Sequence, residues 1–196
     1  MSVRQRAASR PDSPPTMQSP TLSSRRHRMT MSHESPRRRR LVVAGQLPPP
    51  MGGQNVMIAH SIDVFRRDGR LVVDHLEFGF TRSWAGARSA SVAKVVELAR
   101  VIGRLVRLRL TGPIDCLLYP VGGPHRNPVI RDLALLPFCY LTSKNVVLHF
   151  HAGGIANALP TFGSGLRALV RFVYSRAEGA VSLTQFGRQD PESLGI

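Results

Sequence analysis

Acidic residues are scarce in this chain: 12 Asp and Glu stand against 27 Lys and Arg in 196 residues, a formal net charge of +15. An excess of this size attracts phosphate or anionic lipid through charge alone. Yet no basic motif interleaved with aromatics, of the kind that stacks nucleic-acid bases, is present, and no nucleic-acid partner is expected. Cysteine is limited to Cys116 and Cys139. One isolated pair without metal-type spacing excludes a disulfide scaffold and a zinc module. Both fall in apolar stretches and read as buried thiols of a reducing compartment. No apolar run reaches 18 residues, so no segment reads as a membrane-spanning helix. The N-terminus lacks the apolar core of a secretory signal. Neither G-x-G-x-x-G nor the P-loop pattern occurs. Together these absences point to a cytoplasmic protein.

What is present divides at about residue 40. Residues 1–40 hold ten basic residues against Asp12 and Glu34, are rich in Ser and Pro, and contain almost no large apolar side chains. Such a segment cannot bury enough surface to offset its ordering entropy, so a disordered basic tail is expected. It is compatible with an organellar transit peptide, or with an anion-binding arm centred on Arg37-Arg38-Arg39-Arg40. A third reading places the true start near Met29 or Met31, with the first stretch read in frame from upstream. Only Lys94 and Lys144 of the basic residues are lysine, which suggests a GC-rich coding sequence where open frames extend by chance, and favours this third reading. Residues 41–196 carry nearly all the Val, Leu, Ile and Phe, enough for one domain.

Leu41 to Asp68 is the most informative stretch. Leu41-Val42-Val43-Ala44 is a continuous apolar run, as a strand buried on both faces requires. The prolines of Gly45-Gln46-Leu47-Pro48-Pro49-Pro50-Met51-Gly52-Gly53 force a break, and a helix reads from about Gln54. Gly52 and Gly53 lack Cβ atoms, which permits positive φ and close approach of a ligand to the main chain. Helix N-termini carry unpaired N–H groups that favour anions.

Beyond this unit, strands read at 71–76, 115–119, 145–150 and 180–184, and helices at about 54–68, 90–110, 128–136 and 163–177. Gly69 closes the first helix, and Pro137 is expected to end or kink the third. In the second, Val92, Val95, Val96, Ala99, Ile102, Gly103, Val106 and Leu110 form one apolar stripe. Lys94, Glu97, Arg100, Arg104 and Arg107 lie opposite. Val101, Leu105 and Leu108 widen the apolar surface, so peripheral contact with an anionic membrane, or burial against a further domain, is expected. Strand–helix alternation predicts an α/β fold, a Rossmann-like parallel sheet with helices on both faces. Ligands of such sheets bind at the carboxyl ends of the strands, which singles out loops 45–54, 77–90, 120–128, 151–162 and 185–191.

Two of these loops carry chemistry. The third strand is followed by Pro120-Val121-Gly122-Gly123-Pro124-His125-Arg126-Asn127-Pro128, a second Gly-Gly turn. The fourth ends in His149-Phe150-His151-Ala152-Gly153-Gly154. His149 and His151 share one side of the strand. A histidine at the mouth of a buried strand can hydrogen-bond a sugar hydroxyl or phosphate, or exchange a proton. His149 reads as structural, His151 as functional.

The Pro-x-x-Gly-Gly turn of Leu41–Gly53, the strand ending in His-x-His before glycines, and Ala180-Val181-Ser182-Leu183-Thr184 resemble the N-terminal domain of family 4 glycosyltransferases over about 41–196. These enzymes have the GT-B architecture, two Rossmann-like domains across a cleft. They transfer a sugar from a nucleotide-sugar donor, usually with retention and without an essential metal or other cofactor. The resemblance implies that Gly52 and Gly53 face the donor and that His151 points at the transferred sugar. The remaining loops, with Gly122, Gly123 and His125, would receive a glycan, lipid-linked or small acceptor. It also implies a C-terminal domain bearing a Glu-x7-Glu motif. The chain stops at Ser193-Leu194-Gly195-Ile196, near the family's interdomain hinge, so this fragment alone is not expected to catalyse transfer.

Other readings remain. His151-Ala152-Gly153-Gly154 resembles the oxyanion loop of α/β-hydrolase esterases, but no Gly-x-Ser-x-Gly elbow is present: Ser164 is flanked two residues away by Phe162 and Leu166. An amidohydrolase using His149 and His151 as metal ligands would need further His and Asp at strand ends. A basic, non-enzymatic nucleic-acid-binding protein is the remaining alternative.

Overall fold

The alternation of apolar strands and amphipathic helices folds into one all-parallel sheet. The computed structural model describes residues 37–49, 51–78 and 92–196. The strands are β1 (Arg39–Gly45), β2 (Leu71–Glu77), β3 (Ile114–Pro120), β4 (Ser143–Phe150) and β5 (Gly179–Ser182). The helices are α1 (Gly53–Arg67), α2 (Val92–Leu110), α3 (Arg126–Thr142), the one-turn α4 (Ile155–Ala158), α5 (Ser164–Tyr174) and α6 (Gln189–Leu194). Short 3₁₀ turns span Leu159–Thr161 and Phe186–Arg188. The strand order is β2-β1-β3-β4-β5. The chain leaves β1 toward one edge and then fills the other, so the topological switch point lies between β1 and β3.

Side-chain alternation along the strands builds two unequal cores. Leu41 and Val43 of β1 pack with Ile58 and Ile62 of α1 on one face. Val42 and Ala44 point the other way and join Leu117, Tyr119, Leu148 and Phe150 under α2, α3, α5 and α6. The sheet is α/β with helices on both faces, as the alternation predicts. Among the described residues no helix is long and apolar enough to cross a membrane.

Several local expectations are corrected. Residues 1–36 of the expected tail lie outside the described residues, but β1 begins at Arg39. Arg40 is not part of a solvated arm. Its Nε donates to Asp74 Oδ2 at 2.6 Å, Nη1 to the Leu108 and Gly112 carbonyls, and Nη2 to Thr111 Oγ1. Its backbone N–H donates to Asp115. The planar guanidinium thus ties β1 to β2 and to the turn entering β3, a task that needs a donor fork. Helix α3 runs through Pro137 to Thr142. Pro137 cannot donate to the Leu133 carbonyl, but Leu135, Leu136 and Cys139 on either side of it are buried in the larger core. That burial outweighs the missing hydrogen bond. Cys139 is buried and its thiol is pushed up to about 12 by desolvation, whereas Cys116 is only half-buried.

The largest correction concerns α2. Its core-facing residues are Val101 and Leu105, with Leu98, Ile102 and Leu108 packed beside them. Val92, Val95, Val96 and Val106 of the stripe read from the sequence, and Leu110 at its end, are exposed. Two apolar stripes compete on this helix, and the rotation that inserts the bulkier Leu98, Leu105 and Leu108 buries more area.

Beneath the β3–α3 loop lies a buried carboxylate. Asp132 of α3 is fully buried and accepts hydrogen bonds from Tyr119 Oη (2.7 Å), Tyr174 Oη (2.8 Å) and the Gly122 N–H (2.7 Å). Arg131 pairs with it through Nε and Nη2. Both tyrosine hydroxyls are pushed well above their ordinary range, by burial first and by the Asp132 charge second. Replacing Asp132 by Ala strands two hydroxyls, an amide and a guanidinium in the core. Urea unfolding of Asp132→Ala should show a loss of about 3–5 kcal/mol, the range for breaking a buried charge pair. A loss below about 1 kcal/mol would mean that the network is dispensable.

Candidate functional site

Every loop singled out from sequence, so far as it is described, lies at the carboxyl edge of the sheet. The loop at 77–90 falls outside the described residues from 79 onward. The turn after β1 contacts the end of β3: a Cβ built on Gly45 would run into Ile58 Cδ1 and stand 3.2 Å from Pro120 Cγ. Gly45 has φ +135°, so this glycine is demanded both by backbone and by space. The turn after β3 lies against the turn after β4, where a Cβ on Gly154 (φ +106°) would meet Pro124 at 3.6 Å. Three adjacent strands thus present three glycine-bearing loops side by side. By the ordinary strand spacing, the β1 and β4 loops are separated by about 10 Å.

Gly52 and Gly53 open α1, as expected, but without positive φ. Gly52 is the N-cap in an extended conformation (φ −149°, ψ 149°), which any residue adopts. A Cβ on Gly53 would meet nothing within 4 Å. The fold itself makes no demand for glycine at 53, and the helix start has no side-chain cap. The first turn of α1 carries no carboxylate.

Gly122 is of a different kind. A Cβ there would stand 2.5 Å from Pro128 Cβ and 3.0 Å from Asp132 Oδ2. Its amide is held by Asp132, so it is a packing glycine whose immobility positions Gly123 beside Ala152. His125 is exposed and serves as the N-cap residue of α3 through its carbonyl, which accepts from the Val129 N–H.

At the end of β4 the two histidines meet. Their ring centroids are 3.8 Å apart with planes inclined by 41°. His149 is 6% exposed. Both ring nitrogens of His151 are buried and have no hydrogen-bond partner among the described residues. Desolvation, and then His149, hold the His151 imidazole down to about 4, and desolvation lowers His149 as well. At neutral pH, His151 is therefore an uncharged imidazole with one N–H to donate and one lone pair to accept. Buried polar groups without partners are rare and concentrate where chemistry or binding occurs.

Two residues that hold this edge escaped the sequence reading. Asp132 fixes the β3–α3 turn. Asp190, at the start of α6, is 3% exposed and accepts from the Gly154 N–H (3.0 Å) and the Ala156 N–H (2.8 Å). It caps α4 from a distance in sequence. A signal existed for Asp132: it lies on the same helical face as Val129, Leu135, Leu136 and Cys139, all buried. A lone carboxylate on an apolar face implies buried donors. Asp190 had no local signal, because it caps a helix 36 residues away in sequence.

This geometry weighs against the two hydrolytic readings. The Gly154 and Ala156 amides, which an oxyanion hole would need, are taken by Asp190. Among the described residues no group of three or more His, Cys, Asp or Glu gathers to hold a metal ion, so the histidine pair gains no third ligand.

The histidines make stability pH-dependent. A His whose folded value is depressed binds its proton more readily when unfolded. Its contribution is therefore complete above the ordinary value near 6.5 and declines as pH falls toward 4. Denaturation midpoints should fall between pH 7 and 5 in the native chain and fall less in His151→Gln. Identical pH slopes for the two proteins would contradict the assignment. The chain matches no protein-family model, and no curated protein is similar to it in sequence.

Proposed function

We propose that this domain is the N-terminal half of a family 4-like glycosyltransferase of GT-B architecture, acting on a nucleotide-sugar donor. The observation that carries the proposal is the orphaned, uncharged His151 ring at the carboxyl edge of β4, two strands from an uncapped helix start whose Gly53 the fold does not require. The N–H groups at the start of α1 suit a phosphate or a sugar hydroxyl. His151 donates its single N–H to a hydroxyl or ring substituent of the sugar being transferred. As a neutral group it binds without placing a cation beside the positive charge that develops at the anomeric carbon. Gly123 and His125 border the space left for a glycan, lipid-linked or small acceptor. No metal or cofactor enters this scheme. A second, nucleotide-binding domain closes the cleft, excludes water and aligns donor with acceptor.

Titration of the chain with UDP-, GDP- and ADP-sugars, followed by backbone amide shifts, tests the reading. At least one donor should bind weakly, in the millimolar range, and move the amides of Gly52, Gly53 and His151. Gly53→Val should abolish this response without lowering the melting temperature, since its side chain enters open space. The same replacement at Gly122 should destabilise the fold. In an enzyme completed by a C-terminal domain, His151→Ala should reduce kcat more than it raises KM, as a contact made in the transition state requires. No amide response to any donor would overturn the proposal. Sugar transfer by this chain alone would overturn the need for a second domain.

A further inference from the structure

An exposed helix in a water-soluble surface ordinarily turns charge outward and apolar residues inward. Helix α2 does not. Opposite the core-facing Val101 and Leu105, its outward line runs Val92, Val96, Ala99, Gly103, Val106 and Leu110, one residue every three or four positions along the entire helix. Val92 is 80% exposed, Val95 beside it 65% and Leu110 82%. Gly103 is not needed for packing, since a Cβ there would meet nothing within 4 Å. An apolar band about 28 Å long therefore faces away from the domain, by the rise of 1.5 Å per residue.

The flanks of the band are basic. Arg100 and Arg107 line one side and Arg109 the other, and Glu97, the helix's sole acid, is ion-paired with Arg100. Arg104, further round the helix, donates to the Glu77 carbonyl at the end of β2 and is held against the domain. This charge decides among occupants. A second copy of α2 would bring arginines against arginines. The segments of this chain outside the described residues, 1–36 and 79–91, are themselves rich in Arg and nearly free of acids. A neutral apolar partner would leave the arginine rows unpaired. A sheet of anionic headgroups over an acyl boundary satisfies both features at once, because arginine stems lie along the apolar band while their heads reach phosphate.

We infer that the outward face of α2 is a docking surface for an anionic lipid bilayer, with the band resting at the headgroup–acyl boundary and the arginine rows on lipid phosphates. This inference is independent of sugar transfer. Because α2 runs antiparallel to the strands, its Val92 end lies at the carboxyl edge of the sheet and its Leu110 end at the amino edge beside Arg40.

Flotation of the full chain with vesicles of 70% phosphatidylcholine and 30% phosphatidylglycerol tests it. The chain should float with these vesicles and not with phosphatidylcholine alone, and should release as salt rises. Val96→Asp with Val106→Asp, both at exposed positions, should reduce the floated fraction at least tenfold while leaving the circular dichroism spectrum and melting temperature unchanged. Arg107→Glu with Arg109→Glu should do the same. Native-level flotation by both variants would assign binding to the basic N-terminal segment and overturn the proposal. Absence of flotation by the native chain at low salt would also overturn it and leave the face to a protein partner with acidic flanks.

Discussion

The Asp132 carboxylate is the joint on which the carboxyl edge depends. A charge with no exposed surface is tolerated only when its lone pairs are filled, and here two tyrosines, a backbone amide and a guanidinium fill them. Each partner comes from a different place: Tyr119 from β3, Gly122 from the loop after it, Arg131 from α3 itself, Tyr174 from the end of α5. One group therefore sets the distance of α3 and α5 from the sheet and the path of the β3–α3 turn. Because a half-satisfied network costs more than an apolar core, the arrangement admits little slack. The rigidity of this edge comes from the interior and not from the loops.

Around it, long-range polar contacts do what local sequence does not. Asp190 reaches from α6 to cap α4 and fix the glycines after His151. At the opposite edge, Arg40 clamps β1 to Asp74 and to the turn entering β3. The carboxyl edge is left with the tilted His149–His151 pair and the start of α1, whose N-cap Gly52 has no side chain. At this rim the two carboxylates are satisfied, whereas the ring nitrogens of His151 are not.

Periodicity carried far in reading the fold. Val42 and Val43 announced a strand buried on both faces, and Ile58 and Ile62 the inner side of α1, because apolar spacing and burial have one physical cause. It failed where two patterns competed or where a local rule met a larger burial. In α2 the valine stripe and the leucine stripe are both regular, and only the sheet beneath decides which turns inward. At Pro137 the local rule ended or kinked the helix, while Leu135, Leu136 and Cys139 carried it on to Thr142. The glycines divide likewise. Gly45 and Gly154 have positive φ, whereas Gly52, whose sequence context looked similar, is extended.

By itself, the sequence determined the alternation of strands and helices, the edge where the loops gather, and the residues that stand there, since these follow from spacing of two and of 3.6 residues along one chain. Only the tertiary structure decided the strand order, the direction in which α2 faces, the burial of Asp132 and Asp190, and the isolation of the His151 ring. Each of these depends on groups distant in sequence that share one desolvated space, and no local pattern encodes which partner arrives there.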